Sequence, residues 1–321
     1  MSRHELLKIA VSHIKRTTVF LLMNEVNQCI QALGQILRGK DQEIRLAVCC
    51  LLAKGHLLIE DLPGMGKTTL AHALAQVMGL GYQRVQFTSD LLPADIIGVT
   101  VFDKNTSAFE FHSGPVFSQL LLADEINRAS PRTQSALLEA MEERQVSVDG
   151  HTRILPEPFF VVATQNPVFQ EGTFPLPESQ LDRFLMRLEL GYPDTESEKA
   201  ILRGEAGRNE LGSLPEILTA AQLVEAQNQI LSIHLGDMLL DYVMRLVSST
   251  REAGYFITGL SPRAGLALVQ AAKAWAWMDG RDYVIPEDVQ AVFVAVADHR
   301  LKEREQGKSV RELLATTQVM G

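Results

Sequence analysis

Cysteine, positive charge and long apolar runs are all scarce in this chain of 321 residues, and each scarcity excludes a class of protein. There are three cysteines, Cys29, Cys49 and Cys50, with no C-x-x-C spacing. Cys49 and Cys50 fall in an apolar helical run, so they read as buried thiols of a reducing compartment and not as a disulfide framework. The eight histidines are scattered without metal-ligand spacing, which leaves no side-chain metal cage to expect. The apolar run 19–23 falls far short of the ~18 residues that span a bilayer, and no small-residue cleavage site makes the N-terminus a secretion signal. The expected location is the cytoplasm. A formal net charge of −9 argues against a dedicated nucleic-acid binder, whose surface is normally basic. What remains, 46% hydrophobic and 21% charged residues, is ordinary globular composition at a length that holds about two domains.

Periodicity divides the chain into three parts. Residues 1–36 have helical spacing, with Leu6, Leu7, Ile9 and Ala10, then Val26, Ile30, Leu33, Ile36 and Leu37 at apolar positions. No chemistry is visible in this N-terminal helical extension. Gly39 breaks the pattern, and a second apolar helix is expected over 41–54. From 56 to about 190, apolar runs at 56–60, 84–88, 120–123, 159–163 and 187–190 alternate with helical stretches, which predicts a largely parallel α/β sheet. Two shorter hairpins interrupt the series, at 99–112 and 145–155, the second turning on Asp149-Gly150. After Gly191-Tyr192-Pro193 the chain is rich in Ala and Leu, with helices expected over 223–231, 238–248, 263–277 and 286–299 and no strands. The reading is a 37–190 α/β core with a parallel sheet flanked by helices, followed by a smaller all-α domain over 191–321.

Chemistry concentrates in four places. The octet 61–68, Asp-Leu-Pro-Gly-Met-Gly-Lys-Thr, follows a predicted strand and opens a predicted helix. This context makes Pro63, Gly64, Met65, Gly66, Lys67, Thr68 and Thr69 a nucleotide-phosphate cradle, in which backbone N–H groups and the helix N-terminus face the phosphates. Lys67 is placed to reach the β/γ-phosphates and the Thr68 hydroxyl to hold Mg²⁺. The usual pattern has Gly where this chain has Asp61; Asp tolerates unusual backbone angles better than most residues. The second place is Asp124-Glu125, an acidic pair at the C-terminal end of an apolar strand, where α/β sheets place ligands. Asp124 is the expected Mg²⁺ partner, and Glu125 the group that orients and deprotonates the attacking water. The third is Asn166 at the end of the strand 159–163, which would lie beside Glu125 and help hold that water. Fourth are Arg183 and Arg263, each an ordinary surface arginine by itself; phosphoryl transfer gains from an arginine near the developing charge.

Taken in order, these motifs resemble those of an AAA+ ATPase, and the wording is nearer still to the MoxR family. The resemblance is carried by LADEINRASPRTQSALLEAMEE at 122–143, VVATQNPVFQEGTFPLPESQLDRFLMRL at 161–188, GYPDTESEKAIL at 191–202 and SPRAGLALVQAAKAWAWMDGRDYVIPEDV at 261–289. It runs from about residue 37 to 300 and leaves the N-terminal extension unmatched. It implies an AAA+ core with a helical lid, assembled into a homo-oligomeric ring, commonly a hexamer, with ATP bound between subunits. It implies that Arg183 is the arginine finger of the neighbouring site, that Arg263 is a lid arginine sensing the γ-phosphate in its own subunit, and that Asn166 is a sensor. Arg128 and Arg132 are expected near the subunit interface, and the two hairpins at the pore. A chaperone role follows by analogy: remodelling a protein client or inserting its metal cofactor, often with a von Willebrand A-domain partner. The alternative is a DNA-associated motor, which shares such a core; the acidic balance and the absence of an added winged-helix or helix-turn-helix segment weigh against it.

Overall fold

The computed structural model describes residues 3–166, 172–204, 211–252, 254–304 and 307–319, with side chains from residue 19 onward. Pro167, which follows Asn166 in the expected strand-end motif, lies outside the described residues, as do Met1 and Ser2 of the N-terminal extension.

The core sheet has five parallel strands, β1 (Leu57–Glu60), β2 (Tyr82–Gln86), β5 (Leu120–Asp124), β8 (Phe160–Gln165) and β9 (Met186–Leu188), in the order β2-β5-β8-β1-β9. β5 and β8 are buried at every position, as expected for central parallel strands covered on both faces. Their register decides the function. Gln86 pairs with Asp124, Ala123 with Ala163 and Glu60 with Gln165, so the ends of β2, β5, β8 and β1 form one row. Asp61, Asp124, Glu125 and Asn166 therefore emerge side by side at the C-terminal edge.

The five strands were expected within a residue or two. β2 begins at Tyr82, two residues before the predicted 84–88, because it is an edge strand whose burial alternates weakly and offers no apolar run to read. Both hairpins are present: β3 (Gly98–Asp103) pairs with β4 (Ala108–Ser113), and β6 (Gln145–Val148) with β7 (His151–Ile154). The second turn has positive φ at both Asp149 (52°) and Gly150 (76°), the conformation that matches the twist of a tight hairpin.

One face of the sheet is covered by α1 (Arg3–Ile36), α2 (Asp41–Leu52) and α3 (Lys67–Val77), and the other by α4 (Pro93–Ile97) and α5 (Pro131–Glu143). α1 buries Leu22, Val26, Cys29 and Leu33 in the same cluster as α2 and α3, so the leading helix packs as part of the core. A short α6 (Glu178–Leu181) precedes β9. Beyond it lie α7 (Thr195–Leu202), α8 (Ala220–Leu231), α9 (Asp237–Arg251), α10 (Pro262–Met278), α11 (Pro286–Ala297) and α12 (Val310–Thr316). Among the described residues of 191–319 the only strand-like pairs are two isolated bridges, His234 with Tyr283 and Phe256 with Glu303. The helices start on sequence signals. Asp194, Thr219, Ser261 and Ser309 cap α7, α8, α10 and α12 by accepting backbone N–H bonds.

A buried histidine ties three of these elements together. His56, just before β1, accepts from Val161 N at Nδ1 (3.0 Å), and its Nε2 donates to Met141 O at 3.2 Å. Burial lowers its pKa from 6.5 to about 4, and His299 is shifted in the same direction by the same cause. The unfolded chain takes up the His56 proton below about pH 6.5 while the folded chain resists it until about pH 4, so this contribution to stability is constant above that window and is lost through it as pH falls. For His56 the loss is on the order of 3 kcal/mol. The denaturant midpoint of the wild type should drop between pH 7 and 4.5, and His56→Asn should flatten that slope. An equal slope in both proteins would contradict this assignment.

Candidate active site

The cradle is built by two glycines that must be glycine. Gly64 and Gly66 have φ of 88° and 93°, and Gly66 caps the N-terminus of α3. A Cβ there would pay the left-handed penalty, and at Gly66 it would also sit 3.2 Å from Leu37. The Gly66 conformation lets α3 begin at Lys67 itself. The loop 62–66 and the first turn of α3 thus lie together at the strand ends, where free N–H groups suit an anion.

Lys67 is buried at 7% exposure, and burial lowers its pKa below the usual lysine value, opposed by Asp61, Asp124 and Glu125. Its Nζ donates to the Asp61 carbonyl, to Asn166 Oδ1 at 3.0 Å and to Gln165 O at 3.5 Å. Asn166 Nδ2 in turn donates to Glu125 Oε1 at 3.0 Å. A continuous chain of bonds from the cradle lysine through Asn166 to Glu125 therefore crosses three strand ends.

Glu125 is held in an unusual backbone state. Its φ of 57° is left-handed, and its N–H donates to Thr164 Oγ1 at 2.9 Å. Such a conformation costs a non-glycine residue on the order of 1–2 kcal/mol. Here it follows a strand end fixed by pairing and turns the carboxylate out of the sheet. Glu125 Oε2 accepts from Gln86 Nε2 at 2.7 Å and from Arg128 Nη1 at 2.8 Å. Asp124 is fixed as firmly: Thr164 Oγ1 donates to its Oδ1 at 2.6 Å, and Arg84 reaches Oδ2 through both Nη2 (2.7 Å) and Nε (3.1 Å).

Oxygen donors suit a hard cation. Thr68 and Asp124 supply a hydroxyl and a carboxylate, and among the described residues no cluster of three or more His, Cys, Asp or Glu offers a protein cage. Mg²⁺ uses such sites, taking one or two carboxylates and completing its shell with water and phosphate. The residues fit the ion. Beside the cradle opens a cavity of about 280 Å³, lined by Ile36, Leu37, Met65, Thr69, Pro193 and Ile201 among others, from α1, the loop and the start of the helical domain. Its largely apolar walls suit a flat base.

Three features escaped the sequence. Asp61 does more than replace a glycine: its Oδ1 accepts from Leu62 N at 2.7 Å and its Oδ2 from Gly191 N at 2.6 Å. Arg84 and Gln86 hold Asp124 and Glu125 from β2, a relation visible only once the strand register is known. The third is the place of Arg263. It lies beside Arg183 and is not among the bonded partners of Lys67. Arg183 Nη2 meets Glu142 Oε2 at 3.0 Å and its Nη1 donates to Leu138 O at 2.6 Å, while Arg263 Nη1 meets Glu142 Oε1 at 3.0 Å. The reason is local: Ser261, at the start of α10, bonds Asp182 in the turn after α6 at 3.4 Å, so α10 begins where Arg183 is. The two arginines share one carboxylate at the end of α5 and line a second cavity of about 290 Å³. Arg132 is at the first turn of α5, and Arg128 is engaged with Glu125.

A P-loop cradle, an acidic strand end, an Asn on the adjoining strand and a C-terminal helical lid define an AAA+ nucleotide-binding protein. Residues 56–186 match the model of the ATPase family associated with various cellular activities (AAA), and residues 248–316 match the AAA lid domain. Among named relatives, Chaperone MoxR1 of Mycobacterium tuberculosis is 41% identical over 292 residues, covering 87% of this chain and 76% of that one. Protein MoxR of Methylorubrum extorquens is 32% identical over 287 residues, covering 82% and 83%. A crystal structure of a candidate ATPase from Cytophaga hutchinsonii superimposes with a TM-score of 0.86 at 38% identity, covering 97% of each chain. The chain belongs to the MoxR family of AAA+ ATPases.

Proposed function

We propose that this protein is a Mg²⁺-dependent ATPase that assembles into a ring, most simply a hexamer, and couples hydrolysis to the remodelling or cofactor loading of a protein client. The observation that carries the reading is the Lys67–Asn166–Glu125 chain of hydrogen bonds. It sets a phosphate-binding cation, a polar sensor and a carboxylate base in one line, which is the order in which a γ-phosphate, a water and a base must stand for in-line attack.

The roles in this proposal are as follows. The 62–66 loop and the N-terminus of α3 bind the phosphates, with Lys67 as the point charge. Thr68 and Asp124 hold Mg²⁺, which neutralises charge on the phosphate oxygens when bound. Glu125 accepts the proton of the attacking water, and its contacts with Asn166 and Gln86 fix the direction in which it does so. The shared carboxylate of Glu142 supports placing Arg183 and Arg263 together, both presented to the ATP of the adjoining subunit.

The hairpins supply the working surface. β3–β4 leaves Phe102 and Phe109 exposed, paired edge to face at 5.2 Å, and β7 exposes Ile154. Arg153 sits 3.8 Å over the Phe111 ring, which links the two hairpins. Exposed apolar residues on linked hairpins suit contact with an unfolded or loosely folded polypeptide, and a von Willebrand A-domain partner and a cytoplasmic location are part of the same proposal. Among the described residues no helix is long and apolar enough to cross a membrane.

Lys67→Ala should weaken ATP binding by about 10²-fold or more, since each charge-assisted hydrogen bond is worth ~1.5–3 kcal/mol. Titration with a fluorescent ATP analogue measures this directly; wild-type affinity in the variant would overturn the reading. The client is sought by affinity capture with Glu125→Gln protein loaded with ATP. Recovery of nucleic acid alone would contradict the chaperone role.

A further inference from the structure

The turn that carries Arg183 is gripped by a buried arginine from the lid. Arg300 follows α11 in a short helical turn, Asp298–Arg300, and its side chain is only 5% exposed. Its Nε donates to Asp182 Oδ1 at 2.7 Å, and its Nη2 to Phe184 O at 2.6 Å and Asp182 O at 3.2 Å. Its Nη1 donates to Leu185 O at 3.1 Å and to Val296 O. All five N–H donors of the guanidinium are thus used, and four of them fall on the residues flanking Arg183 on both sides. His299 adds a bond from Nε2 to Phe184 O at 3.0 Å.

Stability alone is a poor explanation for this arrangement. Burying an arginine with a carboxylate carries a desolvation cost that an apolar pair of the same volume avoids. What the contact does supply is direction. A planar fork that satisfies the carbonyls of Asp182, Phe184 and Leu185 fixes the path of the backbone from 182 to 185, and with it the origin of the Arg183 side chain. The other end of Arg183 is set against Glu142, which Arg263 of the same lid also holds.

We infer that Arg300 is a positioning residue for Arg183: it aims that arginine at the ATP of the neighbouring subunit, so that the lid of one protomer governs the rate of hydrolysis in the next. The same turn touches the protomer's own cradle. Asp298 binds Arg187 at 2.8 Å, and Arg187 binds Glu60, the residue before Asp61, at 2.7 Å. The inference rests on the reading that Arg183 acts in trans, and the test separates the two.

Three mixtures of variant subunits are compared for ATP turnover. In the first, Glu125→Gln protein supplies Arg183 to the intact sites of Arg183→Ala protein, and activity should reappear; its absence would overturn the trans reading itself. In the second, the supplying subunit is Glu125→Gln/Arg300→Lys. Recovered activity should fall by about 10²-fold, the effect of misplacing a catalytic group by roughly 1 Å, with KM for ATP unchanged. In the third, Arg300→Lys is moved to the receiving subunit, Arg183→Ala/Arg300→Lys, and activity should match the first mixture. Equal loss in the second and third mixtures would reduce Arg300 to general structure, and no loss in the second would remove it from catalysis; either result overturns the inference. If Arg300→Lys lowers the melting temperature enough to prevent assembly, Asp182→Asn, which keeps the shape of the partner and removes its charge, carries the same three expectations.

Discussion

Glu125→Gln should bind ATP with wild-type affinity and hydrolyse it about 10²–10⁴-fold more slowly, the range that general-base catalysis contributes. The substitution is nearly isosteric, and the amide oxygen can still accept from Asn166 Nδ2. Binding should survive because in the proposed site the phosphate contacts come from the 62–66 loop and Lys67, not from Glu125. What is lost is the proton acceptor: an amide cannot take the proton of the attacking water. Steady-state phosphate release gives the rate, and retention of unhydrolysed ATP on a gel-filtration column gives the binding. Turnover within about a factor of two of wild type would mean that another group is the base, and would sink the assignment.

Arg183→Ala should leave ATP binding intact and lower hydrolysis by about 10³-fold or more, since an arginine supplied to the developing charge is worth 10³–10⁵. In the wild type the rate per subunit should also rise with protein concentration, because a site completed by a neighbour exists only in the assembly. The variant should show a flat concentration profile at the residual rate. A wild-type rate independent of dilution, with Arg183→Ala active, would make each subunit self-sufficient. The pairing of Arg183 with Arg263 on Glu142 adds a directional expectation: loss of either arginine should lower turnover and leave nucleotide affinity nearly unchanged.

Much of the site was legible because its carriers are extreme. β5 and β8 are unbroken apolar runs that can only be central strands, and the polar residues at their ends, Asp124, Glu125 and Asn166, are conspicuous for that reason. The glycines of the cradle signal a backbone no other residue takes. The Asp149-Gly150 turn is equally local. β2 was read two residues late because an edge strand needs no apolar run. Its functional residues, Arg84 and Gln86, were invisible since their importance lies in the β2–β5 register, which no local pattern encodes. Arg263 shows the same limit at larger scale. The sequence marks the start of a helix at Ser261-Pro262, but where that helix docks depends on packing among α2, α10, α11 and β9. The apolar spacing of α1 likewise identified a helix without revealing that it lies across α3 and closes the slot beside the cradle.

Asp61 has a consequence that reaches past the phosphates. A glycine in that position has no side chain with which to hold Gly191, between β9 and α7. Through its carboxylate, the mouth of the nucleotide loop and the root of the lid are one joint instead of two. The backbone at the mouth of the loop and the backbone at Gly191 are therefore held in register by one carboxylate. The residue that breaks the expected pattern thus serves as a linkage between the loop and the chain that leads into the helical region.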